Sequence, residues 1–413
     1  MNQDTGEEIL TALDLGATKV CVLLGVVREG AVTAIGMGRV PCHGVQKGII
    51  IDVEPTIEAI VNAVKEAEKQ AGVRAGPVFA SVSGRHIRSM TSDGSVTIHN
   101  REHEITDEDL QRVMEQAQVH AELPSDHSVL HTIPEEFSVD GQDGIRNPVG
   151  MYGNKLVAKV RVITGAVSCI QNVLRCIETA ELFPRGLIVQ SLATVRAVLT
   201  PEEREMGVVC LDIGGGTTDM ALLAGKSLRH TAVIPMGGNQ ISKDVSMGLR
   251  IPFEVAELIK RENGCCLATE VREDEAVQIP ASSGREARAV NRRLLARIVE
   301  ARVEEILEAA KGELGLSGFT EDALSGGLVL TGGCAHLPFI VSKAEKVFES
   351  LAARVGEPSG VAGASDELRR PEYAAAVGLL LEAAEHRKRA PAARRQQPLG
   401  NFLKGIRDWL KGN

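Results

Sequence analysis

The chain has 413 residues, 44% of them hydrophobic and 24% charged, an ordinary balance for a globular protein of two or three domains. Its net charge of −9 is uneven: from His386 to Asn413 eight Lys/Arg stand against one acid, Asp408, so this segment carries +7 and the remainder −9 − 7 = −16. An acidic body excludes nucleic acid as the expected partner, whereas a basic end on it points to an anionic surface.

In chain order, apolar runs at 9–13 and 20–27 flank Asp14-Leu-Gly16-Ala17-Thr18-Lys19, a strand, tight turn and strand. A helix is predicted over 56–70 and a strand over 78–82. An insert over about 83–164 follows, with an acidic helix start at Thr106, a Pro/Gly-punctuated stretch around Ile133-Pro134 and Asn147-Pro148, and a returning strand at 157–164. Helices at 170–180 and 192–199 then bracket a short strand at 187–189.

The second half opens at Met206 and repeats the first hairpin as Asp212-Ile213-Gly214-Gly215-Gly216-Thr217-Thr218-Asp219 between apolar runs at 208–211 and 220–223. Met236-Gly237-Gly238-Asn239 precedes a helix at 241–249, offering N–H groups at a helix start. A second insert over about 252–324 holds helices at 253–262 and 292–314. Leu328-Val-Leu-Thr-Gly332-Gly333-Cys334 reads as a buried strand and glycine turn, and a helix at 373–385 closes the body. The expected architecture is therefore a duplicated α/β fold, 1–205 and 206–385, with a cleft between the halves. Eight cysteines with no C-x₂-C pair read as reduced thiols. The acidic start lacks a signal-peptide core, and no apolar run approaches the ~20 residues of a membrane span.

Glycine turns let backbone N–H groups reach an anion, and an aspartate just before the turn is placed to hold Mg²⁺ through water. Two facing hairpins would thus clamp a nucleotide's phosphates, with Asp14 and Asp212 near the metal. The turn at Gly332, Gly333 and Cys334 would bring backbone close to a nucleoside. Glu257 and Lys260, three apart on one helix, are either an exposed ion pair or a nucleoside contact. Gln190, by sequence alone, is a polar residue ending a strand.

The segment 386–398 is rich in Arg, Ala, Gln and Pro and reads as a disordered linker. Beyond it, over 399–413, Phe402, Leu403, Ile406, Trp409 and Leu410 fall on one helical face, with Lys404, Arg407 and Lys411 mostly away from it. So short a helix needs a surface to fold on, and Trp suits a membrane interface.

These segments together resemble the actin-like ATPase superfamily and, within it, are similar to the FtsA family of bacterial cell-division proteins. Ser83-Gly84-Arg85-His86, Gly144 to Gly150, Leu228 to Pro235 and the amphipathic end carry the narrower likeness. The resemblance implies an actin-like (ribonuclease H-like, duplicated) two-domain fold that binds ATP and Mg²⁺. It implies a protein that polymerises at the cytoplasmic face of the inner membrane, anchors filaments of the tubulin-like FtsZ by their C-terminal peptide, and recruits other division proteins to the septum. It places phosphates at Gly16–Lys19 and Gly214–Thr218, with Glu257, Lys260, Gly332 and Gly333 at the adenosine. Gln190 falls where actin has a water-positioning glutamine; an amide orients water but takes no proton from it, which implies slow hydrolysis at best. Arg302, and after it Arg293, would meet acids of the FtsZ peptide, against the alternative of solvated helix-face charges. A pilus-assembly ATPase and a small-molecule kinase of the same superfamily are the competing readings.

Overall fold

The computed structural model describes residues 8–99, 102–281, 286–363 and 366–389. The predicted membrane-facing residues Phe402, Leu403, Lys404, Ile406, Arg407, Trp409, Leu410 and Lys411 lie outside them.

The chain opens with β1 (Leu10–Leu15), β2 (Lys19–Arg28) and β3 (Ala31–Pro41), then a small hairpin of β4 (Val45–Gln46) and β5 (Ile49–Ile50), helix α1 (Val53–Ala71) and β6 (Val78–Val82). The first insert comprises β7 (Arg88–Thr97), α2 (Asp107–His120), β8 (His127–Val139), β9 (Gln142–Ile145) and β10 (Lys155–Ala166), leading into α3 (Val167–Thr179). Next come β11 (Pro184–Val189), α4 (Gln190–Val198) and α5 (Pro201–Met206).

The second half brings β12 (Val208–Ile213), β13 (Thr218–Ala224), β14 (Ser227–Ile234), α6 (Gly238–Leu249) and α7 (Phe253–Asn263). A small hairpin, β15 (Ala276–Ile279) and β16 (Arg288–Asn291), precedes the long α8 (Arg292–Leu316). The described residues end with β17 (Leu328–Thr331), α9 (Ile340–Phe348), β18 (Ala353–Val355), β19 (Val361–Ala362) and α10 (Ala374–Arg389).

The duplication is visible in the sheets. One runs β11-β6-β1-β2-β3-β19 and the other β18-β17-β12-β13-β14. In each, a glycine-turn hairpin is antiparallel (Asp14↔Cys21; Asp212↔Asp219), and its first strand runs parallel to the next crossover strand. The central strands β1, β6, β12 and β17 are buried along their whole length, so they read as continuous apolar runs rather than alternations. The insert forms its own sheet, β7-β10-β8-β9, over α2, which is held at its start by a Thr106–Asp109 capping box.

Two expectations are corrected. The Pro/Gly-punctuated stretch around Ile133-Pro134 is the middle of the 13-residue β8, where Pro134 pairs with Val160 beside a register shift that leaves Glu135 as the extra residue. A bulge tolerates the missing donor of proline. Residues 386–389, assigned to a linker by composition, continue α10, with Arg387 paired to Glu8 and His386 against Phe79. The hairpin β15–β16 and helix α9 carried too little periodic signal to be foreseen.

Candidate nucleotide-binding cleft

Between the two sheets lies a cavity of about 590 Å³, floored by both glycine turns. Every residue expected at phosphate, metal or nucleoside lines it except Thr218 and Gly237; Gln190 lines it too. Thr218 is fully buried and its hydroxyl donates to the Met236 carbonyl, so its role is to brace the turn. The expected free N–H groups at the start of α6 are likewise engaged. Gly237 donates to Gln240 Oε1, Gly238 to the Gly214 carbonyl and Asn239 to the Gly215 carbonyl. They hold the second turn in place instead of waiting for an anion.

The turns meet across the cleft. A Cβ on Gly215 would lie 2.4 Å from Thr18 Cγ2, and one on Gly216 2.6 Å from Ala17 Cβ. Only glycine allows the two loops this proximity with their backbones facing the cavity.

Beneath the turns sit three buried carboxylates. Asp14 Oδ1 accepts from Ser81 at 3.0 Å; burial pushes its pKa up to about 6, and the neighbouring Asp212 adds to the effect against the pull of Lys19. Asp212 Oδ2 accepts from Thr194 Oγ1 at 2.8 Å and from the Gln190 amide at 3.2 Å, yet burial still raises its pKa. Asp219 accepts from Ser83 at 2.6 Å and Thr217 at 2.8 Å, and burial followed by repulsion from Asp212 lifts it to about 7. Asp14 and Asp212 face the cavity and Asp219 does not; among the described residues no three acids converge to hold a metal directly, so the pair fits a cation held through water. The tie of Asp219 to Ser83 joins the second turn to the root of the insert.

Lys19 is itself mostly buried, which lowers its pKa. Its Nζ donates to the Glu372 carbonyl at 2.7 Å and stands 4.0 Å over the Tyr373 ring. Glu257 and Lys260 are a cleft-wall pair rather than a solvated one: Lys260 is 6% exposed, and its Nζ donates to Glu257 Oε2 at 2.6 Å and to the Gly238 carbonyl at 3.0 Å. Ser242 also donates to that carboxylate. Gly332, at φ +83°, packs directly over Asp212. Arg39, Arg261, His336, Arg370 and Glu372 line the same cavity. They arrive from scattered positions with no motif to announce them.

Neither partner-peptide candidate is unengaged. Arg302 pairs with Asp244 and Glu305, and Arg293 with Glu273 and the Ala268 carbonyl. Among the described residues, no helix is long and apolar enough to cross a membrane. All eight cysteines are free thiols.

Two solved structures share this architecture. A PilM–PilN type IV pilus biogenesis complex superposes with a TM-score of 0.64 at 17% identity, covering 91% of this chain and 98% of that one. MreB5 of Spiroplasma citri bound to ADP gives 0.55 at 13%, covering 93% and 99%. At such identities the likeness speaks to fold alone: an actin-like ATPase fold around a cleft built from paired glycine turns. The family profile described as "Cell division protein FtsA" matches residues 209–378, and "SHS2 domain inserted in FTSA" matches 84–164. The cell division protein FtsA of Pseudomonas aeruginosa is 37% identical over 414 residues, spanning 98% of each chain. The chain belongs to the FtsA family of cell-division proteins, and the pilus and kinase alternatives give way to it.

Proposed function

We propose that this protein is an ATP-binding scaffold of cell division that polymerises on the inner membrane and ties FtsZ filaments to it. What supports the nucleotide part is the pair of abutting glycine turns over three buried carboxylates. The turn backbones and Lys19 would hold phosphates. Asp14 and Asp212 would hold Mg²⁺ through water, and the ion when bound neutralises phosphate charge. Glu257, Lys260, Gly332, Gly333 and Cys334 would line the adenosine. Gln190 gives its amide hydrogen to Asp212 and has no basic atom for a water proton, so turnover is expected to be slow.

The FtsZ C-terminal peptide is assigned to the second insert around α8. Its acids would exchange with Asp244 and Glu305 at Arg302, and with Glu273 at Arg293. Phe402 to Lys411 would anchor the chain to anionic lipid. A single short helix binds weakly, so avidity from a filament of copies would supply the rest. Recruitment of later division proteins belongs to the same reading.

The test is recruitment of fluorescent FtsZ to anionic vesicles with ATP, by the full chain and by a chain ending at Pro398. Recruitment by the full chain only is the expected result. If both sediment without vesicles and neither brings FtsZ down, the scaffold reading fails.

A further inference from the structure

A second cavity, of about 260 Å³, lies away from the cleft where α10 leaves the body. Four stretches of chain converge on it: the start of β1, the β6–β11 edge of the first sheet, strand β8 of the insert, and the end of α10. Its floor is apolar, formed by Leu10, Phe79, Leu187 and Ile188, and its polar groups include Arg185, Arg387, His131 and His386.

Each of these polar groups is positioned by a local feature. Pro184 pairs with Val78 and Gly186 with Phe79, so Arg185 is the extra residue of a bulge, a device that re-aims a side chain. The His386 ring packs on Phe79 with centroids 5.5 Å apart, fixing the last full turn of α10 against the wall. His131 Nε2 accepts the Val189 N–H at 3.1 Å, which ties the insert to the floor strand. Arg387 already carries an oxyanion: the Glu8 carboxylate sits 3.0 Å from its Nε. Glu8 precedes β1, and its side chain is about one-third exposed, so an anion arriving from solvent can compete for Arg387.

We propose that this cavity is a binding site for a compact phosphate monoester, which takes the place of Glu8 on Arg387. Two guanidiniums around one mouth suit a dianion better than the single charge of a carboxylate. The apolar floor suits a short organic group on the ester. The cavity of about 260 Å³ has room for a three-carbon phosphate. The floor strand β11 ends at Val189, and the next residue, Gln190, donates to Asp212, so occupancy is placed to be felt in the ATP cleft. The site stands whether or not the C-terminal segment binds membrane.

The probe is glycerol 3-phosphate, titrated calorimetrically into the full chain at saturating ATP so that the cleft is already filled. Saturable binding is expected, weakened roughly tenfold or more in Arg185→Ala and in Arg387→Ala, the loss typical of a charge-assisted hydrogen bond. Arg185→Lys keeps the charge without the fork and should fall between. ATP affinity, measured on the same variants, should be unchanged, which separates loss of the site from loss of the fold. Inorganic phosphate should bind more weakly than the ester; equal binding overturns the monoester assignment. No saturable binding by the wild-type chain, or unaltered binding in both alanine variants, overturns the site itself.

Discussion

Gly332 and Gly333 are adjacent in sequence and opposite in tolerance. Gly332 has φ +83°, and a Cβ there would lie 2.4 Å from Asp212 Oδ1 and 2.7 Å from the Ile213 carbonyl; a Cβ on Gly333 meets nothing within 4 Å. Gly332→Ala should therefore destabilise by about 1–3 kcal/mol and weaken ATP at least tenfold by displacing Asp212, while Gly333→Ala leaves stability nearly unchanged. Urea unfolding of both variants checks the contrast, and wild-type nucleotide affinity in Gly332→Ala, read by fluorescent-nucleotide titration, would remove Gly332 from the site. Asp219 carries a second residue-scale prediction. Burial holds its pKa near 7, against 3.8 without it, so between these values the folded chain binds the extra proton. Stability then rises as pH falls from about 8 toward 4, by up to about 1.4 kcal/mol per pH unit from this group. Nucleotide-free Asp219→Asn should lack that contribution. Urea unfolding of both chains across pH tests it, and parallel profiles would show that Asp219 is ionised throughout.

At the scale of elements, a buried carboxylate on the insert's own sheet reaches the second lobe. Glu135 on β8 lies between Arg161 of β10 at 2.6 Å and Arg229 of β14 at 3.4 Å, with its side chain 3% exposed. Glu135→Ala would strand Arg161 and should cost about 3–5 kcal/mol, whereas Glu135→Leu with Arg161→Met should recover most of it. Hydrogen exchange in β8 and β14 reports the change directly; unaltered protection in the single variant would mean that packing alone holds the insert. This contact was illegible in the sequence because its partners stand 26 and 94 positions from Glu135 with no pattern linking them. The glycine turns were legible for the opposite reason: turn chemistry is local, and 14–19 and 212–219 carry theirs within a few residues. Local reading failed where tertiary context won, as at Pro134, where a bulge keeps proline in a strand, and at 386–389, where docking on Phe79 extends a helix whose composition resembles a linker.

The whole molecule turns on the crossing of its two connecting helices. Helix α4 carries the first half into the second, and α10 returns from the second half to pack across α4, β1 and β6. At the crossing Gly378 lies so close that a Cβ would fall 1.8 Å from the Ala193 carbonyl oxygen, a helix backbone atom that cannot rotate away. The same two helices bear the cleft at their starts: Gln190 opens α4, and Glu372 and Ala375, which line the cavity, stand at the start of α10. Widening the crossing must therefore shift Gln190 relative to Glu372, and with it the spacing between Asp212 and Lys19. Gly378→Ala should cost about 1–3 kcal/mol by overpacking and reduce ATP affinity by at least tenfold, although the residue lies outside the cavity. Ala383→Gly, on the same helix beyond the crossing, adds helix cost without a wedge and should spare nucleotide affinity. Protection from limited proteolysis by ATP, measured on both variants, separates the effects. If Gly378→Ala is protected as fully as the wild-type chain, the connecting helices slide without opening the cleft, and the lobes are coupled through the glycine turns alone.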